Sequence, residues 1–339
     1  MIPLATARRA VVRLLRAMAS NPDVLRLGVG GALRRMEARV PAIEVYLTTL
    51  EPEARAEGRI EAAVRDLEFV DGDTIEPGVP LVVEVFDEIG FEPPPAQRLP
   101  DGAFQMQDVV GAFRLHALPG RGQHALPMVV DRATKEGYGW CVVSVPAAQA
   151  DALPTLREDA RVAESVSALE PEDAAAGLTP RVFLAVEAPS VDGRVAYDGD
   201  GADLVIALPS ASAEETAAAL SDPRVKVLAH PVSAGGAWYE RETDDVASWE
   251  RVLDAAAEHG VALEFSGAAR AAWLPDAVHT LARERGVRVV PAADAETLND
   301  IDDLICAVGP LRLAGWSRAE VLSACSAEGF EAWLLGATT

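Results

Sequence analysis

Residues 225–231 read VKVLAHP, residues 261–267 read VALEFSG, and residues 287–296 read VRVVPAADAE. Each of these short apolar runs ends near a residue that can bind a metal or exchange a proton: His230, Glu264 and Asp294. Helix-like segments separate the runs, and parallel strands joined by helices present their C-terminal residues at one end of a barrel. The stretch therefore predicts a (β/α) barrel with a polar site at the strand ends.

Four further apolar runs precede this stretch: GAFRLHA at 111–117, WCVVSV at 140–145, RVFLAVEA at 181–188 and DLVIAL at 203–208. Seven such runs, most of them followed by helix-like segments, predict a parallel α/β barrel over residues 103–339. The segment FEPPPAQRLPDG at 91–102 predicts a linker, because three consecutive prolines cannot lie in a helix interior or a central strand.

Residues 1–90 are predicted to form a separate, small α+β unit. A helix is expected over 4–20, strands over 24–29 and 43–50, a helical segment over 52–67, and a short helix or strand over 82–90. The basic, amphipathic start of the chain predicts a folded helix rather than a targeting peptide, because arginines interrupt any continuous apolar core.

The composition limits the classes of function. The chain has 339 residues, 50% of them hydrophobic, and a formal net charge of −23. Strong negative charge disfavours nucleic-acid binding, although basic residues concentrate between Arg8 and Arg39. No apolar run is as long as a membrane span. The three cysteines form no CxxC pair, which favours a reducing cytoplasm and argues against a zinc–cysteine cluster.

The run GVGGALRRMEARVPAIEVYL at 28–47 resembles the palm motif of family X DNA polymerases. Gly31, Arg34 and Arg35 match the glycine turn and the arginines of that motif. Ala42 stands where the family has its first magnesium-binding aspartate, and Glu44 where it has the second. A third aspartate has no counterpart that the sequence identifies. The resemblance implies a truncated nucleotidyltransferase unit without polymerase activity, because two magnesium ions need several carboxylate ligands.

The C-terminal pattern resembles the PHP (polymerase and histidinol phosphatase) domain of the same family. The segments PPPAQR and GWSRAEVL resemble family segments that flank and end that domain. The resemblance implies a distorted (β/α)7 barrel with a cup at the strand C-termini that holds up to three divalent metals.

Carried over strand by strand, the resemblance retains only part of the metal-binding set. His116, Glu187, His230 and Asp294 match ligand positions, whereas Arg114 and Glu296 stand where the family has histidines. The remaining ligand positions fall on Gly120–Arg121, Val145–Pro146 and Ser210.

Three interpretations of this set stay open. In the first, the cup is metal-free and Arg114 neutralises Glu187 and Asp294. In the second, His116, Glu187, His230 and Asp294 form one weak site for manganese, iron or zinc. In the third, these residues are ordinary polar residues at strand ends.

The functional expectation is a pseudoenzyme, without polymerase or multinuclear phosphoesterase activity, that acts as a binding or structural partner in a protein assembly with a DNA-related role. The alternatives are a phosphoesterase or nuclease with a reduced one- or two-metal site, and a phosphate-binding barrel. No cofactor is expected in the first case and one divalent metal in the second. A protein partner, no membrane and a cytoplasmic location are expected. His279 is predicted to lie exposed on a helix.

Overall fold

The computed structural model describes residues 2–19, 21, 23–37, 39–49, 58–72, 74–76, 78–87, 102–167, 180–229, 246–268 and 276–336. The chain forms two compact units, Met1–Pro100 and Asp101–Thr339. The predicted linker at 91–102 lies outside the described residues except for Gly102. Within the described ranges, no helix is both long enough and apolar enough to cross a membrane.

The described part of the N-terminal unit contains three helices, a five-stranded mixed sheet and a two-stranded sheet. Its elements are β1 (Ile2–Pro3), α1 (Leu4–Met18), β2 (Val24–Val29), α2 (Gly31–Arg34), β3 (Arg39–Val40), β4 (Ile43–Thr49), α3 (Arg59–Arg65), β5 (Val70–Asp71), β6 (Thr74–Ile75) and β7 (Val79–Asp87). Five strands pair in the order β2-β4-β7-β6-β5, with β2 antiparallel and β7 parallel to β4. Of the segment expected as a short helix or strand over 82–90, residues 82–87 lie in strand β7, and residues 88–90 lie outside the described residues.

Helix α1 is amphipathic. Residues Leu4, Val11, Leu14 and Met18 are buried at helical spacing, and the helix packs on β2 and α2. The predicted bounds of α1 and β2 agree with the structure to within two residues, which is the usual uncertainty of helix ends.

The C-terminal unit alternates strands and helices. Its strands are β8 (Gly111–Leu115), β9 (Trp140–Pro146), β10 (Arg181–Val191), β11 (Arg194–Val195), β12 (Leu204–Leu208), β13 (Val225–Leu228), β14 (Ala262–Ser266) and β15 (Val289–Ala295). Its described helices are α4 (Leu126–Lys135), α5 (Leu153–Ser167), α6 (Ala213–Ala219), α7 (Val246–His259), α8 (Asp276–Glu284), α9 (Leu304–Leu313) and α10 (Ala327–Leu334).

Seven of these strands form a closed parallel barrel. The order around the ring is β8-β9-β10-β12-β13-β14-β15, and β15 pairs with β8 to close it. Strand β11 is an antiparallel extension of β10. The predicted α/β fold with a seven-stranded parallel barrel is confirmed, and each barrel strand coincides with one of the seven apolar runs.

The interior of the barrel divides into an apolar lower part and a polar upper part. Alternate residues of each strand point inward, so Val142 and Ser144 share the interior, as do Ala185 and Glu187. Helix α10 closes the lower end, where Phe330 stacks on Trp140 with ring centroids 4.1 Å apart. The polar upper part is the cup described below.

Candidate functional site

Strands β8 and β15 lie side by side, and both are irregular near their C-terminal ends. The register shifts within the β15–β8 pairing and again within the β8–β9 pairing. Arg114 and Asp294 lie in these irregular stretches, with φ of 61° and 48°. Residues other than glycine seldom adopt this left-handed conformation, and bulges of this kind redirect a side chain. The closed barrel therefore holds two strained residues whose side chains meet in the cup.

Arg114 makes the central contacts of the cup. Its Nε and Nη2 atoms donate to the two carboxylate oxygens of Glu187 at 3.2 and 3.0 Å. Its Nη1 atom donates to Glu264 Oε1 at 2.7 Å, and its Nε lies 3.4 Å from Asp294 Oδ1. Arg114 is 1% exposed. One buried guanidinium thus contacts three buried carboxyl groups, and its planar fork suits the paired contact with Glu187.

His116 is held at both ring nitrogens. Its Nδ1 lies 3.1 Å from the Ser144 carbonyl oxygen, and its Nε2 lies 3.0 Å from Asp294 Oδ1. The Ser144 hydroxyl donates to Glu187 Oε1 at 2.7 Å. Each ring nitrogen of His116 is therefore within hydrogen-bonding distance of an oxygen atom of the chain.

Arg121 is a second cation at the mouth of the cup. Its Nη2 lies 2.6 Å from Glu296 Oε1 and 3.6 Å from Asp294 Oδ1, and its Nη1 lies 3.7 Å from Glu187 Oε2. The side chains of Arg121 and Glu296 are 25% and 30% exposed. This pair therefore forms a partly solvated layer above the buried cluster.

The surroundings shift the pKa values of Glu187 and Glu264 in opposite directions. Burial alone would raise the pKa of Glu187, but Arg114, His116 and the Ser144 hydroxyl outweigh it and lower that pKa to about 2. Burial, together with the charges of Asp294 and Glu187, raises the pKa of Glu264 to about 8 despite the opposing effect of Arg114. At neutral pH, Glu187 is therefore ionised and Glu264 is protonated.

Arg114 and Asp294 both keep their charges in the cluster. Burial opposes the charge of Arg114, yet the three carboxyl groups hold its pKa well above the usual value. Burial also works against the charge of Asp294, and Arg114, His116 and Arg121 lower its pKa below the usual range. Glu264 Oε2 is buried and has no hydrogen-bond partner among the described residues, so it offers a place for the proton.

The structure brings most of the predicted cup residues together. Arg114, His116, Glu187, Asp294 and Glu296 all take part in the contacts above. His230 lies outside the described residues. Ser210, at the fourth strand end, instead bonds Glu215 and the backbone of Ser212.

Two residues of the cluster, Arg121 and Ser144, were not predicted as site residues, and a third, Glu264, was predicted only as a polar residue at a strand end. Glu264 was visible as a polar residue at a strand end, but the resemblance gave it no ligand role. Arg121 was identified only as the place of a lost aspartate, and Ser144 lies before the strand end at Val145–Pro146. Side chains alternate between the two faces of a strand, and Ser144 and Glu264 fall on the positions that face the barrel interior. This alternation is the signal that could have identified them.

In the N-terminal unit, the structure brings Gly31 and Glu44 together. Gly31 has φ of 54°, and a Cβ placed on it would lie 2.0 Å from Glu44 Oε1. The Tyr46 hydroxyl donates to Glu44 Oε2 at 3.2 Å. Arg35 points to solvent, where its Nε donates to Glu37 at 2.6 Å, while Arg34 is exposed and near enough to affect the pKa of Tyr46.

A second carboxylate lies on the same face as Glu44. Glu84 of β7 pairs with Tyr46 of β4 in parallel register, and Tyr46 shares a face with Glu44 because the two are separated by one residue. No counterpart of a third aspartate was identified from the sequence, and Glu84 is the acidic residue that the strand pairing adds to this face. Ala42 precedes β4 and supplies no ligand.

The described residues do not fit the metal cluster that the resemblance implies. Among them, no group of three or more histidine, cysteine, aspartate or glutamate side chains is placed to hold a metal ion. Arg114 occupies both oxygens of Glu187 and one oxygen of Glu264, and His116 faces Asp294. A cation supplied by the chain therefore lies where those carboxyl groups converge.

No family model matches the chain, and no curated protein matches it. Among solved structures, the chain is similar to histidinol phosphate phosphatase from Lactococcus lactis subsp. lactis, solved in complex with zinc, L-histidinol and phosphate. The two chains are 10% identical with a TM-score of 0.38, over 59% of this chain and 93% of that chain. The fold class is therefore assigned from the strand pairing of this chain, which forms a closed, seven-stranded parallel α/β barrel.

Proposed function

We propose that this chain is a pseudoenzyme derived from a PHP-containing family X DNA polymerase. In this proposal the barrel no longer hydrolyses phosphoesters and the N-terminal unit no longer transfers nucleotides. The chain acts instead as a binding or structural partner within a protein assembly.

The observation that carries this proposal is the position of Arg114. Its guanidinium binds both oxygens of Glu187 and one oxygen of Glu264, all of them buried. The resemblance places a metal-binding histidine at this position. A divalent ion bound by the same carboxyl groups would face a fixed positive charge a few ångströms away, in surroundings that screen charge poorly. Binding of a metal there would require Arg114 to leave.

Arg121 supports the proposal independently. The resemblance places an aspartate ligand near Gly120–Arg121, and the Arg121 guanidinium lies within 4 Å of Glu187, Asp294 and Glu296. A negative ligand has thus been exchanged for a positive side chain that contacts the remaining ligands. Two arginines then balance most of the carboxylate charge that metals would otherwise neutralise.

The acidic surface favours a protein partner over nucleic acid. The net charge is −23, and phosphate contacts need lysine and arginine. A DNA-related role would then come through a partner protein rather than through direct contact. The free state of Cys141, Cys306 and Cys325 supports a location in the reducing cytoplasm.

The second candidate is a phosphoesterase or nuclease with a reduced one- or two-metal site. The observation that favours it is Glu264 Oε2, which is buried and has no partner among the described residues. His230, the one retained ligand position not yet placed, lies outside those residues. A phosphate-binding barrel has weaker support, because Arg121 already pairs with Glu296 at 2.6 Å.

Metal content distinguishes these candidates. The full chain, purified without chelator and soaked with manganese or zinc, should carry far less than one metal per chain by mass spectrometry. Arg114→His should take up more metal, because it removes the built-in cation and rebuilds a His-x-His pair with His116. The double variant Arg114→His/His116→Ala is the matched control and should lose that uptake.

Activity completes the test. The wild-type protein should not hydrolyse bis(4-nitrophenyl) phosphate with manganese present. One metal per wild-type chain, together with hydrolysis that Asp294→Asn abolishes, would replace the pseudoenzyme proposal with the phosphoesterase candidate.

A further inference from the structure

One side of strand β7 carries no neighbouring strand over most of its length. Strand β6 pairs with Val79 and Pro80 at the start of β7, and no described residue pairs with residues 81–87 on that side. On the other side, these residues pair with β4. Alternate residues of a strand direct their amide and carbonyl groups to opposite sides. Residues 81–87, which we call the open edge of β7, therefore present a row of backbone hydrogen-bonding groups.

The open edge lacks the features that protect most sheet edges from pairing with another chain. Protected edges are short or bulged, or they carry lysine or proline. Residues 81–87 read LVVEVFD, without lysine or proline, and they pair with β4 without a register shift. The opposite edge, β2, is interrupted by a register shift between Val24 and Arg26. At about 3.3 Å per residue, the open edge is roughly 20 Å long, which is enough for a strand of ordinary length.

One face of the open edge is apolar. Val83 pairs with Val45 of β4, which is fully buried, so Val83 belongs to the buried face of the sheet. Leu81 and Val85 share that face and are buried as well. A strand added beside them would place every second side chain next to this apolar row. Those side chains of the added strand should therefore be apolar.

The other face of the open edge is acidic. Val82 and Glu84 pair with Glu44 and Tyr46 of β4, so the four residues share this face. Val82 is 43% exposed, and Glu84 is exposed and has no hydrogen-bond or ion-pair partner among the described residues. Both glutamates raise the pKa of Tyr46, and Arg34 offsets part of their effect. Opposite charges attract across paired strands, so the position opposite Glu84 favours lysine or arginine.

A second copy of this chain is a poorer match for the open edge than a basic chain. Antiparallel pairing of the edge with itself, centred on its middle residue, would place the two Glu84 side chains directly opposite each other. Like charges in that position are destabilising. The net charge of −23 adds repulsion between two copies. The charges therefore favour a different, basic partner.

We propose that the open edge of β7 is a docking site for an extended segment of a basic partner protein, which adds a strand to the sheet. Main-chain hydrogen bonds supply affinity, apolar side chains lie beside Leu81, Val83 and Val85, and a lysine or arginine lies opposite Glu84. This inference rests on the proposed role of the chain as a binding partner. Its test is separate, because the metal and hydrolysis measurements concern the barrel alone.

A synthetic peptide with this chemistry is a suitable probe. The sequence Val-Thr-Val-Lys-Val-Thr-Val, with blocked ends and a fluorescent label on a polyethylene glycol tail, has the same pattern in both directions. Its lysine therefore lies opposite Glu84 whether the peptide binds parallel or antiparallel to β7. Fluorescence polarisation with the full chain measures binding. A peptide with glutamate in place of the lysine is the matched control for charge.

Two N-methylated peptides test whether the backbone pairs. One carries the methyl groups on its valines, and the other on its threonines and lysine, so both keep every side chain of the probe. A strand at a sheet edge pairs through one of its two sides only, and the amides of these two sets point to opposite sides. We therefore expect one of the two peptides to lose binding and the other to keep it.

The charge at Glu84 sets the expected preference between peptides. The glutamate peptide should bind roughly fivefold more weakly than the lysine peptide, or weaker still. Glu84→Lys should reverse this preference. Asp23→Lys is the matched control, because it makes the same charge change beside β2 at the opposite edge of the sheet, and it should leave the preference unchanged.

Hydrogen–deuterium exchange locates the bound peptide. At a peptide concentration about ten times the dissociation constant, the covered amides of residues 81–87 should exchange roughly tenfold more slowly, whereas exchange in barrel strand β14 should not change. No binding of the lysine peptide, equal binding of both N-methylated peptides, or protection outside residues 81–87 would overturn the proposal. A dimer by light scattering, with residues 81–87 protected before peptide is added, would assign the edge to a second copy and overturn the assignment to a basic partner.

Discussion

Arg114 is the residue around which the buried charges of the barrel are arranged. Its guanidinium contacts Glu187, Glu264 and Asp294, and each of these is less than 5% exposed. A buried ion cluster gives little net stability relative to a well-packed apolar core, since every charge has lost its water. Removing one member is different, because it leaves the others buried and uncompensated.

We therefore predict that Arg114→Ala destabilises the barrel by about 3–5 kcal/mol, the range for breaking a buried pair from one side. Lys135→Ala is the matched control. It removes an exposed cation that pairs with Asp131 at 2.7 Å, and it should cost less than about 1 kcal/mol. Denaturant unfolding of the full chain measures both, and an Arg114→Ala midpoint equal to that of the control would contradict the prediction.

Glu264 should make stability depend on pH. Its pKa is raised from 4.5 to about 8 on folding, so the folded protein keeps a proton that the unfolded chain loses. The contribution of the protonated group is full below about pH 4.5 and is lost as pH rises through about 8. Glu264→Gln mimics the protonated form at every pH. Its stability relative to wild type should therefore rise between pH 5 and 8, by at most about 1.4 kcal/mol per pH unit.

Urea unfolding of both proteins at several pH values measures this difference. Parallel stability curves for Glu264→Gln and wild type over that range would show that Glu264 is ionised in the folded protein.

The residues of the cup were predictable from sequence only in part. Arg114, His116, Glu187 and Asp294 lie near strand ends, and strand ends of a parallel barrel converge. Arg121 lies in a loop after β8, and no periodic pattern relates a loop residue to the strands it will cover. His279 was expected to be exposed, but it is 2% exposed and accepts a hydrogen bond from Trp316 Nε1 at 2.9 Å. Burial lowers its pKa to about 4, and its contact with the later Trp316 could not be read from its own helix.

At the scale of elements, the seven barrel strands were predictable because each is a short apolar run bounded by polar or glycine-containing segments. The strand order was predictable as well, since parallel strands joined by helices tend to follow one another in the sheet. The bulges at Arg114 and Asp294 were not. Arginine seldom adopts positive φ, and aspartate adopts it more readily, but aspartate is common at ordinary φ as well, so the residue types alone did not predict bulges at these positions.

The turn between β2 and β4 offers a prediction about one element. Gly31→Ala should destabilise the N-terminal unit more than Gly72→Ala does. Both glycines have φ near 55°, so an alanine at either position has the same backbone strain, about 1–2 kcal/mol. Only at Gly31 would the new Cβ meet the Glu44 carboxylate, at 2.0 Å, whereas nothing lies within 4 Å at Gly72.

Hydrogen–deuterium exchange of peptides from β4 is the suitable measurement. Tryptophan fluorescence would not report on the N-terminal unit, because the first tryptophan of the sequence is Trp140. Exchange should accelerate more in Gly31→Ala than in Gly72→Ala. Adding Glu44→Ala to Gly31→Ala should remove the excess, since the steric conflict would be gone. Equal effects of the two glycine variants would contradict the prediction, and would mean that the Glu44 carboxylate moves aside from Gly31 at little cost.

At the scale of the whole molecule, we predict that the purified full chain does not extend a primer with magnesium or manganese. Ala42 supplies no ligand at the start of β4, and Glu44 and Glu84 provide two carboxylates on that face. A two-metal site needs more oxygen ligands than these offer. Nucleotide incorporation that disappears in Glu44→Ala would contradict this prediction and remove one half of the pseudoenzyme proposal.

The closed ring of seven strands has a consequence for self-association. Every barrel strand has a neighbour on both sides, so the ring presents no unpaired row of amides and carbonyls to another chain. The described N-terminal sheet is open. Strand β2 is one edge, and on the other side β6 pairs only with Val79 and Pro80 of β7, so residues 81–87 of β7 have a strand partner on one side only among the described residues. Strand-to-strand aggregation of partly unfolded protein should therefore begin at the six-residue β2 or at residues 81–87 of β7, and charged substitutions that reduce it belong on those two edges.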